Sequence, residues 1–185
     1  KMALHERLGL EVRADVPLCC MLTRMSWQKG LDLILPLLPE WVEKGWQFAI
    51  IGSGEHNLEQ GFLSVAARYP KQIAAKIGYE EDEAHRFLAA ADTIMVPSRF
   101  EPCGLTQLYG LRYGTLPIVS PVGGLYNTVS PVNYENLRKG RATGFVLSEV
   151  SDYALRRTMN EVFALYADTV CWQTIQRNAM SQDFG

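Results

Sequence analysis

Three short segments concentrate the side chains able to do chemistry. In Arg24-Met25-Ser26-Trp27-Gln28-Lys29-Gly30, two cations lie five positions apart, just before an amphipathic stretch. Amides at a helix start point outward and carry partial positive charge, so two added cations make a phosphate-binding design. The same loop could equally be solvated, its cations paired with surface acids. Ser98-Arg99-Phe100-Glu101-Pro102-Cys103-Gly104-Leu105-Thr106 is the densest segment. Pro102 restricts Glu101 to extended backbone angles, and Gly104 lets a ligand approach the amides that follow. A carboxylate there can grip sugar hydroxyls while helix-start amides grip an oxyanion. Alternatively the segment caps a helix, with Glu101 paired to Arg99 or Arg112. The third segment, Gly52-Ser53-Gly54, is either a tight turn or a place where a ligand meets the backbone. Tyr79, after Gly78, could stack on a base or cover a sheet edge, and Gly123-Gly124 marks a further turn.

Other chemistries lack their residues. His5, His56 and His85 are scattered and no pair has metal-ligand spacing, so no metal site is expected. There is no GxSxG nucleophile turn and no GxxxxGK[ST] phosphate loop. A dinucleotide fingerprint starting at Gly52 fails at Asn57 and follows the wrong strand. The acidic run Glu80 to Glu83 reads as a solvated helix start, where the dipole favours carboxylates.

These loops need a scaffold, and apolar periodicity supplies one. A helix over 3–9 ends at Gly9. Short apolar runs predict strands at Pro17 to Thr23, Trp46 to Ile51, Ile73 to Ile77, Thr93 to Val96 and Leu116 to Val119, with a sixth at Gly144 to Leu147. Between them fall two short helices broken by Pro36 and Pro39, then helices over 56–69, Glu80 to Ala91 and Leu105 to Tyr113. Residues 120–142 read as irregular. A long helix capped by Ser151 runs to about Ala167, and one more follows. Trp41, Phe62, Phe87, Phe163 and Trp172 are expected to fill the core or an interface. Strands alternating with helices mean βαβ units: an α/β fold with a parallel sheet and helices on both faces. Ligands in such sheets bind at the carboxyl ends of strands, where the glycine-rich and charged loops fall.

Composition narrows the classes. The chain has 185 residues, 48% of them hydrophobic and 21% charged, which suits one domain with a real core. The formal net charge of −2 lacks the basic excess of a nucleic-acid or anionic-membrane binder. No apolar run approaches the ~18 residues of a membrane span. Cys19, Cys20, Cys103 and Cys171 form no CxxC pattern, which favours reduced thiols in a cytoplasmic compartment. The chain begins at Lys1 and stops soon after a helical pattern, so it reads as a piece of a longer protein.

Thr23 to Asp32 (TRMSWQKGLD), Pro97 to Gln107 (PSRFEPCGLTQ) and Leu108 to Val119 (LYGLRYGTLPIV) together resemble the C-terminal half of bacterial glycogen synthases and plant starch synthases. Gly123-Gly124-Leu125 with Thr128-Val129, and Ala142 to Phe145, fit the same pattern in order, so the resemblance spans nearly all of 3–184. It implies a GT-B enzyme of two Rossmann-like domains facing across a cleft. Residues 1–185 would be the C-terminal donor-binding domain, and the N-terminal acceptor domain lies outside this sequence. Such enzymes transfer glucose, usually from ADP-glucose in bacteria, to the non-reducing end of an α-1,4-glucan. They retain anomeric configuration and need neither metal nor cofactor. The resemblance implies a cytoplasmic protein in a bacterium, or a plastid protein in a plant.

Carried over by motif position, Arg24 and Lys29 hold the diphosphate and Glu101 contacts hydroxyls of the donor glucose; these three are the candidate catalytic residues. Amides around Cys103, Gly104 and Leu105 hold the sugar, and Thr106 lies near the phosphates or ribose. Tyr79 is a candidate for adenine stacking, and Gly52 and Gly54 for donor binding. The sequence departs from the family pattern at Val122, where Thr is common, at Asn127, where Asp is usual, and at Ser120-Pro121, where some members carry two arginines. These departures bear on polar contacts from the 120–127 loop and on full activity, and leave Arg24, Lys29 and Glu101 untouched. Other readings are a related two-domain sugar-nucleotide enzyme, or a non-catalytic nucleotide-binding module.

Overall fold

A computed structural model describes residues 1–102 and 104–184. Six strands form one sheet among these residues: β1 (Leu18–Leu22), β2 (Gln47–Gly52), β3 (Ile73–Ile77), β4 (Thr93–Val96), β5 (Leu116–Val119) and β6 (Phe145–Val146). Their spatial order is β3-β2-β1-β4-β5-β6, and every pairing is parallel. The chain builds outward from β1 to β3, returns to place β4 beside β1, and builds the other way. That reversal is the topological switch point of a Rossmann-like sheet, and it opens a crevice between the carboxyl ends of β1 and β4.

The central strands are buried on both faces, which is why they read as apolar runs without alternation. Adjacent side chains on a strand point to opposite faces. Accordingly Cys19 packs in one core and Cys20 in the other. The first core receives α2 (Leu31–Ile34), α3 (Leu38–Glu43), α4 (His56–Arg68), α9 (Asp152–Tyr166) and α10 (Thr169–Met180), through Leu31, Trp41, Phe62, Leu155 and Trp172 among others. The second receives α1 (Met2–Leu8) and α5 (Glu81–Ala90), through Leu4 and Phe87. Helices thus cover both faces. Trp41, Phe62, Phe87 and Trp172 are core residues, with Phe163 packed at the core margin.

One stretch follows the sequence expectation and one differs from it. The two short helices after Gly30 are α2 and α3, joined by a 3-10 turn at Leu35–Leu37. Pro36 and Pro39 each occupy the first turn of their own short helix, where a missing amide costs nothing. Residues 120–142 contain α7 (Gly123–Thr128) and α8 (Tyr134–Arg138), the latter capped by the Asn133 side chain, which accepts from the Asn136 amide at 2.8 Å. At six and five residues, both are too short to show a helical period.

The acidic run at 80–83 is not wholly solvated. Glu83 is buried and accepts from Arg7 Nη2 at 3.0 Å, with Arg86 at 3.5 Å and Lys76 at 3.9 Å. The hydrogen bond from Arg7 holds its carboxyl below the usual range, against the opposing effect of burial. None of the helices among the described residues is long and apolar enough to cross a membrane.

Candidate functional site

The crevice at the switch point is lined from two sides. Leu22, Thr23 and Lys29 come from the end of β1 and the loop after it. Met95 to Ser98, Glu101 and Gly104 to Gln107 come from the end of β4, its loop and the start of α6 (Thr106–Tyr113). The hollow measures about 270 Å³. Its centre is an ion pair: Lys29 Nζ donates to Glu101 Oε2 at 2.5 Å. Both side chains are largely buried, 23% and 13% exposed, so solvent screens the pair only in part. Ser98 Oγ donates to the same carboxylate oxygen at 3.3 Å. Glu101 therefore pairs with neither Arg99 nor Arg112; its partner lies 72 residues earlier in the chain.

Local backbone chemistry sets each member in place. Gly30 has φ +76°, and a Cβ there would run into the Pro97 carbonyl, so only glycine lets the two loops meet. The Lys29 amide donates to Ser26 Oγ at 3.2 Å and the Gly30 amide to the Trp27 carbonyl at 3.0 Å, closing the turn. Gly123 has φ +47°, and its missing Cβ leaves room for the Glu101 carbonyl, which accepts from the Gly124 amide at 3.2 Å. The Gly-Gly turn thus acts through backbone, by holding Glu101. That requires no side chain at Val122 or Asn127; Val122 packs against the second core, and Asn127 is exposed.

The start of α6 forms the floor. Leu105 occupies the capping position and supplies no side-chain cap. The first amides of a helix have no intrahelical acceptors. Gly104, φ +65°, and Thr106 also line the hollow. Gln107 Nε2 donates to the Gly104 carbonyl at 3.0 Å and to Thr128 Oγ1 at 3.3 Å, which fixes the turn from below. By contrast α2, after the cationic loop, has only four residues; the cations of that loop are Lys29, paired with Glu101, and Arg24, which is not among the lining residues.

Arg24 follows the lining residue Thr23, is exposed, and has no hydrogen bond or ion pair among the described residues. Tyr79, 64% exposed, lines an adjoining hollow of about 90 Å³ with Leu88 and Tyr109; Leu22 and Thr106 line both hollows. The two openings thus share one rim. Gly52 and Gly54 stand apart from both. Cβ atoms on them would strike the carbonyl oxygens of Thr23 and Met25, so loop-to-loop packing accounts for both glycines. Cys103 lies outside the described residues. Among those described, no three His, Cys, Asp or Glu side chains gather where they could hold a metal ion.

One feature of the site escapes sequence reasoning. The Arg99 guanidinium, which the sequence suggests as a partner for Glu101, instead grips Asp32 through both terminal nitrogens, at 2.6 and 2.9 Å. Both charges stand in the sequence, but their proximity depends on β4 lying beside β1.

Residues 6–175 match the model of the family Glycosyl transferases group 1. The chain belongs to that family. Over all 185 residues it is 49% identical to a glycogen synthase of Edwardsiella ictaluri (strain 93-146) and 48% identical to one of Pectobacterium carotovorum subsp. carotovorum (strain PC1). It spans 39% of the length of each of these curated relatives. Among solved structures it is similar to the catalytic domain of starch synthase IV from Arabidopsis thaliana bound to ADP and acarbose. That match has a TM-score of 0.89 at 29% identity and covers 98% of this chain and 38% of that one. A Rickettsia africae glycosyltransferase shares the fold, with a TM-score of 0.75 at 21% identity, covering 96% of this chain and 45% of that one. The resemblance to the glycogen and starch synthases and the α/β Rossmann-like reading are both borne out.

Proposed function

We propose that this chain is the donor-binding half of a retaining glucosyltransferase that moves glucose from ADP-glucose to the non-reducing end of an α-1,4-glucan. The observation that carries the reading is the Lys29–Glu101 pair at the switch point, beside the uncapped start of α6. The similarity to two bacterial glycogen synthases, and to a starch synthase solved with ADP and acarbose, supports the substrate class. The acceptor glucan would dock on an N-terminal domain outside this sequence.

Cleaving glucose from its diphosphate builds negative charge on the leaving oxygen. Lys29 and Arg24 are the groups assigned to that charge, in place of a metal ion. Glu101, freed from Lys29, would accept hydrogen bonds from hydroxyls of the glucose. The α6 amides would hold sugar or phosphate oxygens. Tyr79, on the shared rim, would take the adenine. The ion pair keeps both charges satisfied while the donor is absent, since an unpaired buried charge is costly.

The test is calorimetric titration of the full-length protein with ADP and ADP-glucose, together with glucose transfer to glycogen. Binding with transfer supports the reading. Preference for UDP-glucose would move the assignment to another sugar-nucleotide enzyme, and binding without transfer would leave a nucleotide-binding module.

A further inference from the structure

We propose that Arg99 is a positioning residue: by clamping Asp32 and Trp27 it locks the loop after β4 onto the loop after β1, and so sets the geometry between Lys29 and Glu101. Its consequence for turnover rests on the donor-site reading above; the locking itself is a matter of contacts. Arg99 Nη1 and Nη2 donate to the two Asp32 oxygens at 2.6 and 2.9 Å. Nη1 also donates to the Trp27 carbonyl at 2.5 Å, and the guanidinium carbon lies 4.4 Å from the centre of the Trp27 ring. The Arg99 amide donates to the Gln28 carbonyl at 2.8 Å. One residue therefore ties down positions 27, 28 and 32, on both sides of Lys29, from a point two positions before Glu101.

The Lys29–Glu101 contact cannot do this work during turnover. In the donor-site reading, phosphate and sugar each take one member of that pair, so the loops lose that bond just when their separation matters most. Arg99 is absent from the lining of the hollow, so its grip need not change when a ligand enters. The grip also needs arginine itself. A guanidinium offers donors in a planar fork and a face for an aromatic ring, whereas lysine offers a point charge that cannot bridge Asp32, the Trp27 carbonyl and the Trp27 ring together.

The experiment uses the full-length protein with Arg99→Gln, Arg99→Lys, Asp32→Asn, Arg99→Asp and the reversed pair Asp32→Arg/Arg99→Asp. Amide hydrogen exchange is followed without nucleotide, and kcat and donor KM are measured with ADP-glucose and glycogen. Arg99→Gln and Arg99→Lys are expected to speed exchange about tenfold in both 26–30 and 98–101, leaving β1 and β4 unchanged. Misplacement of this kind should lower kcat roughly 10²-fold while donor KM stays within about threefold. The reversed pair should recover part of the kcat that Arg99→Asp loses. Full kcat in Arg99→Lys, or unchanged exchange in 26–30 when Arg99 is replaced, overturns the proposal. If a variant exchanges faster throughout and has therefore unfolded, the milder Asp32→Asn decides by the same criteria. The two readings fail separately. A wild-type protein that transfers no glucose, with both loops loosening together, sinks the donor reading and leaves the clamp. Normal wild-type turnover with uncoupled loops does the reverse.

Discussion

Lys29→Ala removes the ammonium that lies 2.5 Å from Glu101 at the centre of the crevice. A fixed cation about 4 Å from the developing charge on the leaving oxygen is worth up to ~4 kcal/mol at an effective dielectric near 20. The side chain is 23% exposed, which makes that dielectric more appropriate than bulk water. In the free protein, however, the same ammonium already neutralises Glu101. The gain on reaching the transition state is therefore a difference between two partners, and the expected loss of kcat is ~10²–10³-fold, the usual effect of removing one preorganised contact. Affinity for glucan should change far less, because no acceptor contact is removed. The assay is initial-rate transfer of labelled glucose from ADP-glucose to glycogen by the full-length protein, with thermal unfolding monitored in parallel. Turnover within about threefold of wild type, in a folded variant, would refute the reasoning. So would a loss confined to donor KM, since that would place Lys29 in ground-state binding alone.

Three further perturbations test other links. Gly123→Ala forces a Cβ into the Glu101 carbonyl at φ +47°, so chemical denaturation should show about 1–3 kcal/mol of lost stability, with reduced turnover from a displaced Glu101. Because Glu83 has its pKa lowered by the Arg7 hydrogen bond, its stabilisation is complete above the ordinary glutamate value of 4.5 and drains away as pH falls through the lowered one. Glu83→Gln should cost about 1–3 kcal/mol in urea unfolding at pH 7 and flatten the acid limb of stability; an unchanged acid limb would contradict the assignment. Finally, residues 1–185 expressed alone should bind ADP weakly and transfer no glucose, because catalysis needs donor and acceptor oriented together in a dry site. Robust polymer synthesis by that piece would overturn the division of labour.

Much of this molecule is written locally. Runs such as Leu18 to Leu22 and Gln47 to Gly52 announce buried strands because both their faces meet apolar layers, and burial leaves its mark on the residues themselves. Gly9 and Gly114 end helices at φ +73° and +72°, a backbone shape that the sequence advertises by omitting the side chain. The family resemblance likewise followed from contiguous motifs. The order of strands in the sheet fixed everything that depends on two distant segments meeting. Glu101 had Arg99 and Arg112 within reach along the sequence, yet takes Lys29, because β4 inserts beside β1 and brings residues 72 positions apart to 2.5 Å. The same adjacency frees Arg99 for Asp32, gives Gly30 and Gly123 their opposing carbonyls, and assigns Gly52 and Gly54 to packing between loops. Glu83, in an acidic run that looks fit only for solvent, is buried because Arg7, Lys76 and Arg86 converge on it. A sequence records the environment of each side chain one position at a time; which side chains share that environment is settled only when the sheet is assembled.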